Sequence, residues 1–122
     1  MLDVGVIGVG YLGRLHAQKI SSLPEARLVG VCDVRRDQGE RVASEFSTSY
    51  FADAGELLRR VRAVSIAVPT TEHYAVALQA MRAGVHVLLE KPITARVREG
   101  RALVREATRR GLVFQIGHLE RF

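Results

Sequence analysis

The segment Gly8-Val9-Gly10-Tyr11-Leu12-Gly13 constrains this chain more than any other. It follows Val4-Gly5-Val6-Ile7, an apolar run that reads as a buried strand. It opens Tyr11 to Ser21, which reads as a helix with Leu12, Leu15, His16 and Ile20 at helical spacing. At a strand-to-helix turn, glycines in this spacing have separate tasks. Gly8 permits the tight turn, Gly10 lets the backbone approach a pyrophosphate, and Gly13 lets the helix pack closely on the strand. The helix N-terminus adds free N–H groups and the positive end of a dipole. The pattern implies a bound dinucleotide, with Tyr11 and Leu12 in the loop that contacts it.

Downstream, apolar runs alternate with amphipathic segments. Strands are expected at Leu28–Cys32, Ser49–Phe51, Ala63–Val68, Val85–Leu89 and Leu112–Ile116. Between them, helices are expected at Arg35–Phe46, Glu72–Ala83 and Thr94–Arg110, the last two ended by Gly84 and Gly111. Asp53-Ala54-Gly55-Glu56 has the spacing of a capping box. Six strands with intervening helices match an α/β doubly wound Rossmann sheet of order 3-2-1-4-5-6, in one domain over residues 1–122.

Asp33 ends the second expected strand, about 20 residues past Gly13, where an acid hydrogen-bonds the adenosine ribose. A carboxylate there repels a 2′-phosphate, so NAD is favoured. Arg35 and Arg36 follow closely and offer NADP an alternative partner. As a bare feature, Asp33 also fits a simple helix cap.

The net charge of +5 raises nucleic acid as a partner, but the arginines from Arg96 to Arg110 are interrupted by Glu99 and Glu106 on a helix with an apolar side. They read as a solvated face, and no nucleic-acid partner is expected. No apolar stretch approaches the ~20 residues that span a bilayer, and no basic-then-apolar leader opens the chain. A cytoplasmic location is expected, without membrane attachment. Cys32 is the single cysteine and reads as a buried thiol. The four histidines show no metal-ligand spacing, and no metal is expected. Lys19 and Lys91 are the only lysines among 18 basic residues. A lysine retained against that bias is a candidate for chemistry of its own.

Ligands of such sheets sit beyond the carboxyl ends of the strands. Strand four ends in Val68-Pro69-Thr70-Thr71-Glu72-His73, and strand five in Leu89-Glu90-Lys91-Pro92. With Ala83-Gly84 and His86-Val87-Leu88 between them, and the glycine loop upstream, these residues resemble the glucose–fructose oxidoreductase / inositol dehydrogenase family (Gfo/Idh/MocA). The resemblance covers essentially the whole chain, as that family's N-terminal NAD(P)-binding domain, and is nearest to members acting on nucleotide-linked amino sugars.

The resemblance implies roles. Lys91 would lie beside the nicotinamide and hydrogen-bond the substrate oxygen, stabilising the alkoxide that develops as hydride moves. Glu90 would orient the cofactor or Lys91, and Pro92 would set the chain direction. Val68, Pro69, Thr70, Thr71 and His73 would line the pyrophosphate and nicotinamide ribose. His118 and Arg121 would approach the substrate side. His73 has an equal claim to a structural role, and His16 and His86 read as structural.

The expected activity is that of an NAD(P)-dependent dehydrogenase passing hydride to or from a hydroxyl carbon of a sugar, cyclitol or sugar nucleotide. The family's second domain would supply most of the substrate pocket and the homo-oligomer interface, and its absence from these residues predicts little turnover by the 122-residue chain alone. A non-catalytic NAD(P)-sensing module is the alternative, since fold does not fix function.

Overall fold

Strands β1 (Leu2–Ile7), β2 (Ala26–Cys32), β3 (Ser49–Phe51), β4 (Ala63–Ile66), β5 (His86–Leu89) and β6 (Phe114–Ile116) pair in parallel. Their order in the sheet is β3-β2-β1-β4-β5-β6, as the alternation of the sequence predicts. The computed structural model of the chain describes residues 1–90 and 96–117.

Among the described residues, five α-helices cover the sheet. Helices α1 (Tyr11–Ser21) and α2 (Arg36–Glu45) lie on one face, packing Ala17, Ile20, Val42 and Ala43 onto Val4, Val6 and Val31. Helices α3 (Ala54–Leu58), α4 (His73–Arg82) and α5 (Val97–Arg110) lie on the other. There Leu57, Met81 and Leu103 close over Ile7, Val64, Ile66 and Leu89. Successive residues of β4 and β5 therefore serve opposite faces, as a strand period of two requires. The α1 face stays open beside β4, β5 and β6, where Leu2, Val4, Ile20, Leu23, Leu88 and Val113 line a groove of about 340 Å³.

Several boundaries differ from the sequence reading. Strand β4 stops at Ile66, not Val68; the Ala67 N–H still donates to the Ile7 carbonyl at 2.9 Å, and Ala67 and Val68 line the pocket. The expected helix from Glu72 is a 3₁₀ turn, Thr70–Glu72, followed by α4 from His73. Strand β6 is three residues, starting at Phe114 rather than Leu112. Asp53 caps α3, its carboxylate accepting the Gly55 N–H at 3.3 Å. Gly111 ends α5 in the left-handed region at φ 66°, which suits glycine.

Candidate functional site

The carboxyl ends of β1, β2 and β4 surround a cavity of about 400 Å³, a size that suits a small-molecule site. Its walls come from Gly8 and Gly10 of the first turn, Asp33 and Arg35 after β2, and Val68 and Pro69 after β4.

Gly8 and Gly13 do the structural work that the sequence predicts. Gly8 has φ 89°, and a Cβ there would lie 2.7 Å from the Ala67 carbonyl oxygen. At Gly13 a Cβ would overlap the Gly8 carbonyl, so only glycine lets α1 sit this close to β1. Gly10 differs from both. Its φ of −66° suits any residue, and a Cβ would meet nothing nearer than Gln38 Nε2 at 4.0 Å. Among the described residues, nothing packed against position 10 requires glycine there.

Helix α1 has Gly10 as its N-cap, with no side chain capping it and no acid in its first turn. The N–H groups of a first helical turn have no carbonyl below them. Among the described residues no side chain caps them, and the N-cap Gly10 lines the cavity. That donor set fits a phosphate bridge.

Asp33 is built into the same loop. Its carboxylate accepts the Val9 N–H at 2.8 Å and the Arg35 N–H at 2.8 Å. A carboxylate has about four acceptor positions, so capacity remains for a diol. Tyr50 Oη donates to the Asp33 carbonyl at 2.9 Å, and Gln38 Nε2 donates to the Val9 carbonyl at 3.0 Å. Strand β3 and helix α2 thus hold Asp33 against the glycine turn. Gln38 escaped the sequence reading. Its position within the first turns of α2, one turn past Asp33, was the only available signal.

The remaining site residues fall into three groups. Tyr11 and Leu12 stand on the first turn of α1, with Tyr11 84% exposed. Arg35 reaches the cavity wall, whereas Arg36 points its guanidinium to Glu40 at 3.4 Å, the next turn of α2. Thr70 begins the 3₁₀ turn above Pro69, and His73 is buried with Nε2 donating to the Val68 carbonyl at 3.0 Å. Glu90 is buried too, against His16 of α1. His86 accepts the Val113 N–H, tying β5 to β6. Lys91, Pro92, His118 and Arg121 lie outside the described residues.

Cys32 lies against the cavity floor. Burial, reinforced by the charges of Asp33 and Asp53, pushes its thiol up to about 11. The raised value favours the neutral thiol until well above physiological pH. A thiol reagent at pH 8 should therefore modify folded protein about a hundredfold more slowly than urea-unfolded chain. Comparable rates in the two states would show that the thiol is neither buried nor raised.

A strand–glycine turn–uncapped helix with an acid anchored across it defines a dinucleotide-binding Rossmann domain. The sequence matches the Gfo/Idh/MocA profile, described as "Oxidoreductase family, NAD-binding Rossmann fold", over residues 2–118, and the chain belongs to that family. It is 48% identical over 120 residues to UDP-N-acetylglucosamine 3-dehydrogenase of Acidithiobacillus ferrooxidans, covering 98% of this chain and 38% of that protein. It is 33% identical to scyllo-inositol 2-dehydrogenase (NAD(+)) of Bacillus subtilis, over 96% of this chain and 35% of that protein. Among solved structures, the Acidithiobacillus ferrooxidans enzyme superposes with a TM-score of 0.93 at 47% identity, over 98% of this chain and 39% of that one. GenD2 from gentamicin A biosynthesis, in complex with NAD, superposes with a TM-score of 0.92 at 33% identity, over 95% of this chain and 34% of that one. The chain thus spans well under half the length of these relatives.

Proposed function

We propose that this chain is the cofactor half of an NAD-dependent dehydrogenase acting on a hydroxyl carbon of a sugar nucleotide, with UDP-N-acetylglucosamine the first candidate. The observation that carries the cofactor reading is the Asp33 carboxylate, fixed by the Val9 N–H at the mouth of an uncapped helix. The substrate reading is supported by the 48% identity to a dehydrogenase of that sugar nucleotide. Relatives named for inositols and hexose derivatives support the broader class of polyhydroxylated rings.

In this reading the first-turn N–H groups of α1 hold the pyrophosphate and Gly10 leaves room for it. Asp33 receives the adenosine ribose hydroxyls. Val68, Pro69 and Thr70 border the nicotinamide ribose, with Tyr11 and Leu12 on the solvent side. When bound, the nicotinamide accepts or returns a hydride. Lys91 would hold the substrate oxygen and balance the charge that grows on it, and His118 and Arg121 would serve the substrate side. Further residues, in a second domain shared by oligomer partners, complete the substrate pocket.

Asp33 also sets the choice between cofactors. Like charges at the 2′ position disfavour NADP, and Arg35 at the cavity wall is poised to reverse that once the acid is gone. Asp33→Ala should weaken NAD about tenfold or more and bring NADP to equal or tighter binding, because a lost charge-assisted contact is worth about 1.5–3 kcal/mol. Calorimetric titration of both cofactors reads this directly. Equal NAD affinity in the variant would remove Asp33 from the site. Turnover of UDP-N-acetylglucosamine with NAD by the two-domain protein tests the reaction, and no reduction of NAD by that substrate or by inositols would sink it.

A further inference from the structure

Four polar or charged side chains are buried among the described residues, and three of them form one cluster. His16 comes from α1, Ser65 from the middle of β4, and Glu90 from the residue after β5. They are 3%, 2% and 4% exposed. The His16 imidazole lies between the other two, with Nδ1 2.6 Å from Ser65 Oγ and Nε2 2.8 Å from Glu90 Oε1. With the proton on Nε2, the imidazole donates to Glu90 Oε1. The Ser65 hydroxyl is then free to donate to Nδ1.

Packing alone does not account for this cluster. Burying a carboxylate and an imidazole costs free energy that an apolar trio of the same shape would not incur. The cluster also joins two parts of one site. His16 stands one turn beyond Gly13, on the helix whose N-terminus faces the cavity. Glu90 is bonded through its own carbonyl carbon to Lys91. A hydrogen bond at Glu90 therefore restrains the backbone from which the Lys91 side chain departs, and refers it to the helix that holds the phosphates. Errors of about 1 Å in placing a reacting group can cost about a hundredfold in rate.

We propose that His16 is a positioning residue for the reaction: through Nε2–H it holds Glu90, and through Glu90 it sets the placement of the Lys91 ammonium relative to the dinucleotide. The inference rests on Lys91 being the group that meets the substrate oxygen. Ser65 fixes the imidazole ring from the other side.

The test compares His16→Leu, which fills the space and donates nothing, with His16→Gln, which restores an N–H donor. Lys91 and Lys19 are the lysines of this chain. Their acylation rates, read by peptide mass spectrometry on the two-domain protein with and without NAD, report the placement of one against the other. In His16→Leu the Lys91 rate should shift about fivefold against Lys19, and kcat for UDP-N-acetylglucosamine should fall about tenfold or more, with the Kd for NAD within about threefold of wild type. His16→Gln should return both towards wild type. Should the leucine variant fail to fold, Ser65→Ala takes its place, with a Lys91 shift in the same direction of about twofold. A lowered melting temperature with Lys91 labelling and kcat unchanged overturns the proposal, because a packing residue would behave that way. Robust turnover with no labelling shift in any variant overturns it as well, while leaving the dehydrogenase reading intact. A labelling shift in a protein that turns over neither UDP-N-acetylglucosamine nor inositol overturns the dehydrogenase reading, and with it the role of His16 in the reaction.

Discussion

Gly10→Val should abolish NAD binding and leave the fold standing. The backbone at Gly10 is in a region open to any residue, and a Cβ there points into space bounded only by Gln38 Nε2 at 4.0 Å. Valine therefore strains nothing in the free protein, and its stability should stay within about 1 kcal/mol of wild type. It does occupy the volume in front of the uncapped α1 N–H groups, where the pyrophosphate belongs. Loss of affinity should reach about a hundredfold or more, which is ~2.7 kcal/mol. The control is Gly13→Ala, whose Cβ would overlap the Gly8 carbonyl. That clash is with backbone, so α1 must lift from β1 and stability should fall by about 3 kcal/mol or more. Thermal melting paired with NAD titration separates the two cases. Intact NAD affinity in a folded Gly10→Val protein would show that the dinucleotide does not cross this turn.

Lys91→Ala in the two-domain protein should lose about a hundred- to a thousandfold in kcat, the effect of removing one group that stabilises a developing oxyanion. NAD affinity should remain within about threefold, because the proposed phosphate and ribose contacts come from the turns after β1 and β2 and from α1 rather than from residue 91. An alanine removes the ammonium without adding bulk, so the change reads the charge rather than a blockage. Retention of kcat within about threefold would take Lys91 out of the chemistry. A protein in which Lys91→Ala weakens NAD binding, and in which no turnover is found even with the native lysine, would behave as a cofactor sensor instead.

The two experiments address opposite ends of one ligand. In the proposed reading, Gly10 would govern whether the phosphates can enter, and Lys91 what happens at the far end once they have. Between them lies the buried His16–Ser65–Glu90 cluster, which links the helix at one end to the segment at the other.

Much of this was legible along the chain. The glycine spacing between an apolar run and a helical pattern carried the turn, its ligand class and the separate structural tasks of Gly8 and Gly13. The spacing to Asp33 carried its place beside that turn, where it accepts the Val9 N–H. The alternation of runs carried the strand order, because right-handed crossovers leave few other ways to stack six parallel strands. Each of these signals is local: it depends on which residues lie within one turn or one strand of each other.

What escaped the reading is of another kind. Nothing near His16 in the sequence marks it as a partner of residues 49 and 74 positions away. Arg36 and Arg35 are equivalent in a string of letters, but Arg36 pairs along its own helix with Glu40, whereas Arg35 pairs with Asp37 and lines the cavity. The glycine loop is a local device, and its backbone geometry is set by steric limits on a few consecutive residues. Which side chains meet around it is decided by the stacking of α1 across β1 and β4, and the residues brought together there carry no short-range pattern that could announce them.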